Sequence, residues 1–331
     1  MLIAAFLCCQ VSPPDSGVPG YGSLLCCQAS SPDSRLYAQT PTPGRLDPSS
    51  VPDFDGARAF EYLVAQCEFG PRFPNSAAHR ECATWLIKTL NGFAGNVEQQ
   101  EFSARSAVTG DALQLKNISA RYRTEMRDRI VIGAHWDTRP IADFDPIPDN
   151  RGKPILGAND GASGVAVILE LARILSESPP PVGVELVLFD GEDSGKQGEL
   201  ESWSIGSRFY ATHLTGELPR WGVVLDMIGE KDAVYPQEVN SLEWAPQLVD
   251  ALWDLARSLN LACFDPTKGP PVWDDHVMLN RYGIPSVDII DFDYPYWHTT
   301  QDTPDKCSPE SLDAVGTLLV HWIYGSAKVS P

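Results

Sequence analysis

Several short segments of this chain bring imidazole and carboxylate groups close together: His135-Trp136-Asp137, Asp160, Glu192-Asp193, Asp226, Asp274-Asp275-His276 and Trp297-His298. Imidazole and carboxylate ligands without cysteine suit zinc in a catalytic site, where one coordination position stays open for water or substrate. Asp160, Asp193 and His298 would supply three ligands. Glu192, beside a ligand in the chain, would point to the opposite side, into the open position, as general base and then general acid. Each residue also has an ordinary structural role open to it. Asp160 could cap a helix, Asp137 or Asp226 could sit in a turn, Glu192-Asp193 could be a solvated loop, and His298 could be a core histidine. The joint placement argues for chemistry more than any one residue does.

The elements that must position these residues can be read from hydrophobic period and turn chemistry. Helices are expected at 57–69, 77–90, 161–176, 205–214, 246–259, 276–282 and 309–324, and strands at 96–103, 115–122, 129–134, 184–189, 222–226 and 286–290. Alternation of strands and helices implies one α/β domain over 53–331, its central sheet mostly parallel and covered by helices on both faces. The run RIVIGA at 129–134 has the unbroken apolar character of a buried central strand. Functional sites of such sheets lie beyond the carboxyl ends of the strands. His135 and Asp137, Glu192 and Asp193, Asp226, and His298 all follow strands in this way, while Asp160 stands at a helix start.

The first 52 residues read differently. LCCQVSPPDS at 7–16 recurs as LCCQASSPDS at 25–34, amid Pro, Ser and Gly, and the first basic residue is Arg35. Such composition does not bury enough apolar surface to order itself, so 1–52 is expected to be disordered. Its apolar start resembles a short signal segment without a basic leader, and export to the periplasm, cell envelope or medium is the expectation. No run approaches the roughly 18 apolar residues of a membrane span. A net charge of −19 argues against nucleic acid as a partner. Cys67 and Cys82 could pair, and no CxxC motif is present. The loop 141–154, with Asp143, Asp145 and Asp149, reads as a solvated border of the cleft, with a calcium site as the alternative.

HWDT, GANDGASG, FDGED, LDMIG, DDH and WHT occur in an order that resembles the zinc exopeptidases, the family that unites aminopeptidases with glutaminyl cyclases, over about 60–325. Asp274-Asp275-His276 and Trp297 are similar to the glutaminyl-peptide cyclotransferases in particular. The resemblance implies cyclisation of N-terminal glutamine, and more slowly glutamate, to pyroglutamate on peptide or protein substrates. It implies a zinc-exopeptidase-like fold and one zinc held by Asp160, Asp193 and His298. It further implies Glu192, Asp226 and Asp274 as catalytic residues, the two Asp sharing a proton. Trp297 and Tyr294 would bind substrate, with Trp203 a further candidate, and His276 would orient the Asp274-Asp275 pair that it follows. A monomer is expected. The alternative within the family is an aminopeptidase with two zinc ions, for which His135, Asp137 and His276 are second-metal or supporting candidates. Cyclases generally carry Glu where this chain has Asp193, one methylene shorter, which requires either that the loop move inward or that the metal geometry differ.

Overall fold

The computed structural model describes residues 51–326. Asp55 and Ser76 each accept a hydrogen bond from an amide three residues on, at 2.9 and 3.0 Å, and so open helices α1 (Gly56–Glu68) and α2 (Ala77–Phe93). Strands β1 (Val97–Arg105) and β2 (Ala112–Tyr122) follow as an antiparallel pair. Then come β3 (Arg129–His135), α3 (Ala162–Glu177), β4 (Gly183–Phe189), α4 (Ile205–Thr212) and β5 (Trp221–Asp226). A short parallel pair, β6 (Tyr235–Gln237) and β7 (Phe264–Lys268), brackets helices α5 (Val239–Trp244) and α6 (Pro246–Ser258). Helix α7 (Asp275–Arg281), strand β8 (Ser286–Ile290) and helix α8 (Pro309–His321) complete the chain, and a π-turn at Trp322–Ser326 ends it.

The main sheet has six strands in the order β1-β2-β4-β3-β5-β8. The four strands β4, β3, β5 and β8 run parallel, and β2 joins them antiparallel. The alternation of side chains along a strand splits the apolar residues between two layers. Ile130, Ile132, Leu186, Leu188, Val223 and Leu225 face α1, α2, α3, α6 and α8, whereas Val131, Val187, Val224 and Phe189 face α4 and α7. Helix α3 is buried almost all round, as a helix enclosed by a sheet and other helices must be. Each fully buried Val, Ile or Leu there contributes about 1.5–3 kcal/mol relative to exposure.

The fold is therefore the expected α/β domain with a mostly parallel sheet. The pair β6–β7 and helix α5 were not legible in the sequence, because Pro236 and Pro266 interrupt strands of three and five residues. Cys67, Cys82, Cys263 and Cys307 are free thiols, so the candidate Cys67–Cys82 bridge is not formed. Among the described residues, no helix is long and apolar enough to cross a membrane. The repeat and nearly all of the segment expected to be disordered fall on 1–50, outside the described residues.

Candidate active site

The carboxyl ends of the parallel strands open onto one cavity of about 460 Å³. Asp160, Glu192, Asp193, Asp226, Asp274 and His298 line it, and Trp203, Trp273, Phe292 and Trp297 supply much of its apolar wall. Trp297 lies between Phe144 and Phe292, with ring centroids 4.9 and 5.0 Å away. All six titratable residues are buried, at 9 % exposure or less.

Separate devices hold each of them. His135 is the last residue of β3, and its Nε2 lies 3.1 Å from both Asp226 Oδ1 and Asp160 Oδ1. Asp160 precedes helix α3 but is not its cap; Gly161 takes that place and the Asp160–Gly161 peptide is cis. Asp302 fixes this turn by accepting from the amides of Asn159 and Asp160, at 2.8 and 3.2 Å. A Cβ on Gly161 would stand 2.4 Å from the His135 carbonyl oxygen, so a side chain there would force the two segments apart. Asp137 accepts from the amides of Glu192 and Asp193, at 3.1 and 3.3 Å, and so sets the turn after β4. The left-handed backbone of His298, at φ 54°, costs on the order of 1–3 kcal/mol and is the kind of strain that packed surroundings sustain at functional sites.

Asp160, Asp193 and His298 each present a ligand atom within 4.8 Å of the others. His298 Nε2 lies 3.2 Å from Asp193 Oδ1 and 3.6 Å from Asp160 Oδ2. Tetrahedral bonds of about 2.0–2.2 Å would set two ligand atoms roughly 3.3–3.6 Å apart. Asp160 Oδ2 and both carboxylate oxygens of Asp193 are buried without a hydrogen-bond partner. Buried charges of this kind must be paired or coordinate a metal. The donor set, the spacing and the orphaned oxygens fit a small divalent cation. His135, Asp160 and Asp226 form a second such group.

The electrostatics follow from crowding. Burial, and then Asp274 opposite, push the Glu192 carboxyl well above its usual range, and Ser204 Oγ donates to Glu192 Oε1 at 3.2 Å. Burial, with Asp193 beside it, raises Asp160. Burial would lower His298, but Asp193 and Asp143 outweigh it and lift the imidazole to about 9. Asp274 caps α7 through Oδ1, which accepts from the Asp275 amide at 2.5 Å, while its buried Oδ2 has no partner.

Several expected placements differ in part. Asp226 and Asp274 both line the cavity, and after burial the Asp226 charge is what raises the Asp274 carboxyl, while Asp226 Oδ1 is also engaged by His135. His276 makes no hydrogen bond to Asp274 or Asp275, but it forms with Asp274 and Asp288 a third group of possible metal ligands. Its Nε2 faces Glu238 at 3.2 Å and its Nδ1 faces Asp288 at 3.5 Å. Tyr294 is no part of the cavity wall: it is buried, and its hydroxyl donates to Asp302 at 2.8 Å. The loop 141–154 is not simply solvated. Asp145 is buried and accepts from the Thr300 amide and hydroxyl, and Asp143 pairs with Arg139, so neither carboxylate belongs to a metal-binding group among the described residues. Trp203 does line the cavity, its ring parallel to that of His298 at 5.9 Å. Arg139, Asp302, Glu238 and Asp288 were not singled out as site residues in the sequence. Their contacts to the site residues come from distant segments, as Arg139 to the Asp193 carbonyl and Asp302 to the Asp160 amide do.

Known proteins share this fold. The chain matches the description "Peptidase family M28" over residues 117–323. A glutaminyl cyclase of Bacteroides thetaiotaomicron, solved with N-acetylhistamine bound, is 37% identical, with a TM-score of 0.80 over 83% of this chain and 99% of that one. A structure described as a leucine aminopeptidase precursor from the same organism is also 37% identical, with a TM-score of 0.80 over 83% of this chain and 98% of that one. The glutaminyl-peptide cyclotransferase of Drosophila melanogaster is 26% identical over 276 residues, 75% of each chain. With the match covering well over half its length, this chain belongs to peptidase family M28.

Proposed function

We propose that this protein is a zinc-dependent glutaminyl-peptide cyclotransferase, converting the N-terminal glutamine of peptides to pyroglutamate with release of ammonia. The observation that carries the reading is Asp274, which lines the tryptophan-lined cavity together with Glu192 and has a buried carboxylate oxygen without a hydrogen-bond partner. A dizinc aminopeptidase is expected to carry Ser in place of Asp274. The similarity to a bacterial glutaminyl cyclase accords with this reading, and the equal similarity to a leucine aminopeptidase precursor leaves the choice between them to the site.

Asp160, Asp193 and His298 would hold the zinc. When bound, zinc would supply Lewis-acid polarisation of the substrate's γ-carbonyl. The reaction is intramolecular: the α-amine nitrogen bonds to the side-chain carbonyl carbon, and the bond from that carbon to the amide nitrogen breaks. Its main requirement is a folded glutamine side chain, and the tryptophan walls restrict that side chain to compact conformers. Glu192 takes a proton from the attacking amine and returns it to the departing ammonia. A carboxyl raised by burial is suited to both transfers. Asp274, with its free oxygen, and Asp226 accept hydrogen bonds from the amide nitrogen. His135 holds Asp226 in place.

The cluster of His135, Asp160 and Asp226 favours a second reading, a two-metal aminopeptidase. Zinc titration of the metal-free protein separates the two. The cyclase reading expects ammonia release from a Gln-initiated peptide to saturate at one zinc per chain. Release of free amino acids that requires two zinc ions per chain would favour the peptidase.

A further inference from the structure

Arg139 is a fully buried arginine outside the cavity, and its contacts reach three parts of the metal site. Its Nε and Nη2 donate to the two oxygens of Asp143, at 2.8 and 2.7 Å, in a bidentate fork. Asp143 Oδ1 in turn lies 3.5 Å from His298 Nδ1, the ring nitrogen that faces away from Asp193. Arg139 Nη1 donates to the backbone carbonyls of Asp193 and Gly195, at 3.1 and 3.0 Å, and lies 3.8 Å from Asp193 Oδ1. Its guanidinium carbon stands 4.6 Å from the centroid of Trp203, whose ring is parallel to that of His298. Gly195 leaves room for this arrangement, since a Cβ there would come within 2.2 Å of the Trp203 ring.

We propose that Arg139 is a positioning residue for the metal centre, its one guanidinium fastening the Asp193 turn, the Asp143 carboxylate behind His298 and the Trp203 wall at the same time. The proposal rests on the zinc reading above. Asp193 is a short side chain that reaches the centre only if its backbone is held inward, and the two carbonyl contacts from Arg139 hold it there. The imidazole of His298 needs a fixed ring orientation, and the Asp143 carboxylate, held by Arg139 at 3.5 Å from the otherwise unpartnered Nδ1, places a negative charge on that side of the ring. A planar fork performs these tasks together, and a lysine ammonium, with no fork, does not.

The test compares full-length wild type with Arg139→Lys, Asp143→Asn and, as a control on an exposed arginine, Arg257→Lys. Zinc affinity is measured by chelator competition, and ligand geometry by the visible spectrum of the cobalt(II)-substituted protein. The expected result is about a 10–100-fold weaker zinc affinity in Arg139→Lys, an altered cobalt spectrum, and wild-type behaviour in Arg257→Lys. Arg139→Lys that folds, binds zinc as wild type does and keeps its cobalt spectrum would overturn the proposal. Where Arg139→Lys does not fold, Asp143→Asn decides by the same two readings: weakened zinc binding upholds the proposal and unchanged binding and spectrum overturn it. Wild-type protein that takes up neither metal would overturn the zinc reading itself, and Arg139 as its positioner with it.

Discussion

Asp193 Oδ1 lies 3.2 Å from His298 Nε2, although the two residues come from turns after different strands and stand far apart in the chain. With neither Asp193 oxygen hydrogen-bonded, this contact fits a bound cation. His298→Ala removes the only imidazole of the group Asp160, Asp193 and His298. Metal analysis after dialysis is expected to show zinc lost from this variant and retained by wild type. Equal zinc in both would remove His298 from the ligand set.

Glu192 faces the cavity without taking part in that ligand group. Glu192→Gln keeps the shape and removes the proton acceptor. Turnover of a Gln-initiated peptide is expected to fall by about 10²–10⁴-fold, the usual contribution of a positioned acid–base group, while zinc content stays at the wild-type level. A variant with near wild-type turnover would assign the proton transfers to another residue.

Gly161 is required by the approach of His135, whose ring Cε1 would lie 2.6 Å from a Cβ at this position. Much of the clash is with the His135 backbone, which has no rotamer to escape through. Gly161→Ala is expected to cost about 1–3 kcal/mol, seen as a lower midpoint of thermal unfolding. An unchanged midpoint would show that the Asp160 turn has slack that its packing conceals.

A pH effect on stability is expected away from the metal centre. Burial, then the neighbouring Asp291 and Asp232 carboxylates, raise Glu230 from 4.5 to about 7. The folded state then holds this proton more tightly than the unfolded chain does, so stability is lost as pH rises between those values and levels off above them. Glu230→Gln should therefore unfold at a higher temperature than wild type at pH 8 and lose that advantage by pH 4. A constant difference across this range would show that the substitution acts through packing instead.

The parallel strands were legible because buried apolar runs announce themselves, and their ends carried His135, Asp193 and Asp226 to one place. Asp160 lies at a helix start and His298 eight residues beyond β8, and their motifs pointed to them more than their distance from a strand end did. What could not be read were the supports. Arg139 meets the carbonyls of Asp193 and Gly195 across 54 and 56 residues of chain, and Asp302 meets the Asp160 turn across 142. Such contacts arise only when strands align, and no local period encodes them. Tyr294 is placed away from the cavity for a related reason. Its sequence neighbours suggested the cavity, but the burial of the loop after β8 turns it inward toward Asp302. The short β6–β7 pair was hidden by its prolines.

A cyclase and an aminopeptidase break different bonds of a peptide. Zinc-loaded protein would be incubated with a Gln-initiated and a Leu-initiated peptide in the same tube and followed by mass spectrometry. Loss of one ammonia from the Gln peptide, faster than in the Glu192→Gln control, with the Leu peptide intact, is the predicted result. Removal of the whole N-terminal residue from the Leu peptide, with no ammonia lost from the Gln peptide, would contradict the cyclase account and make the protein an aminopeptidase.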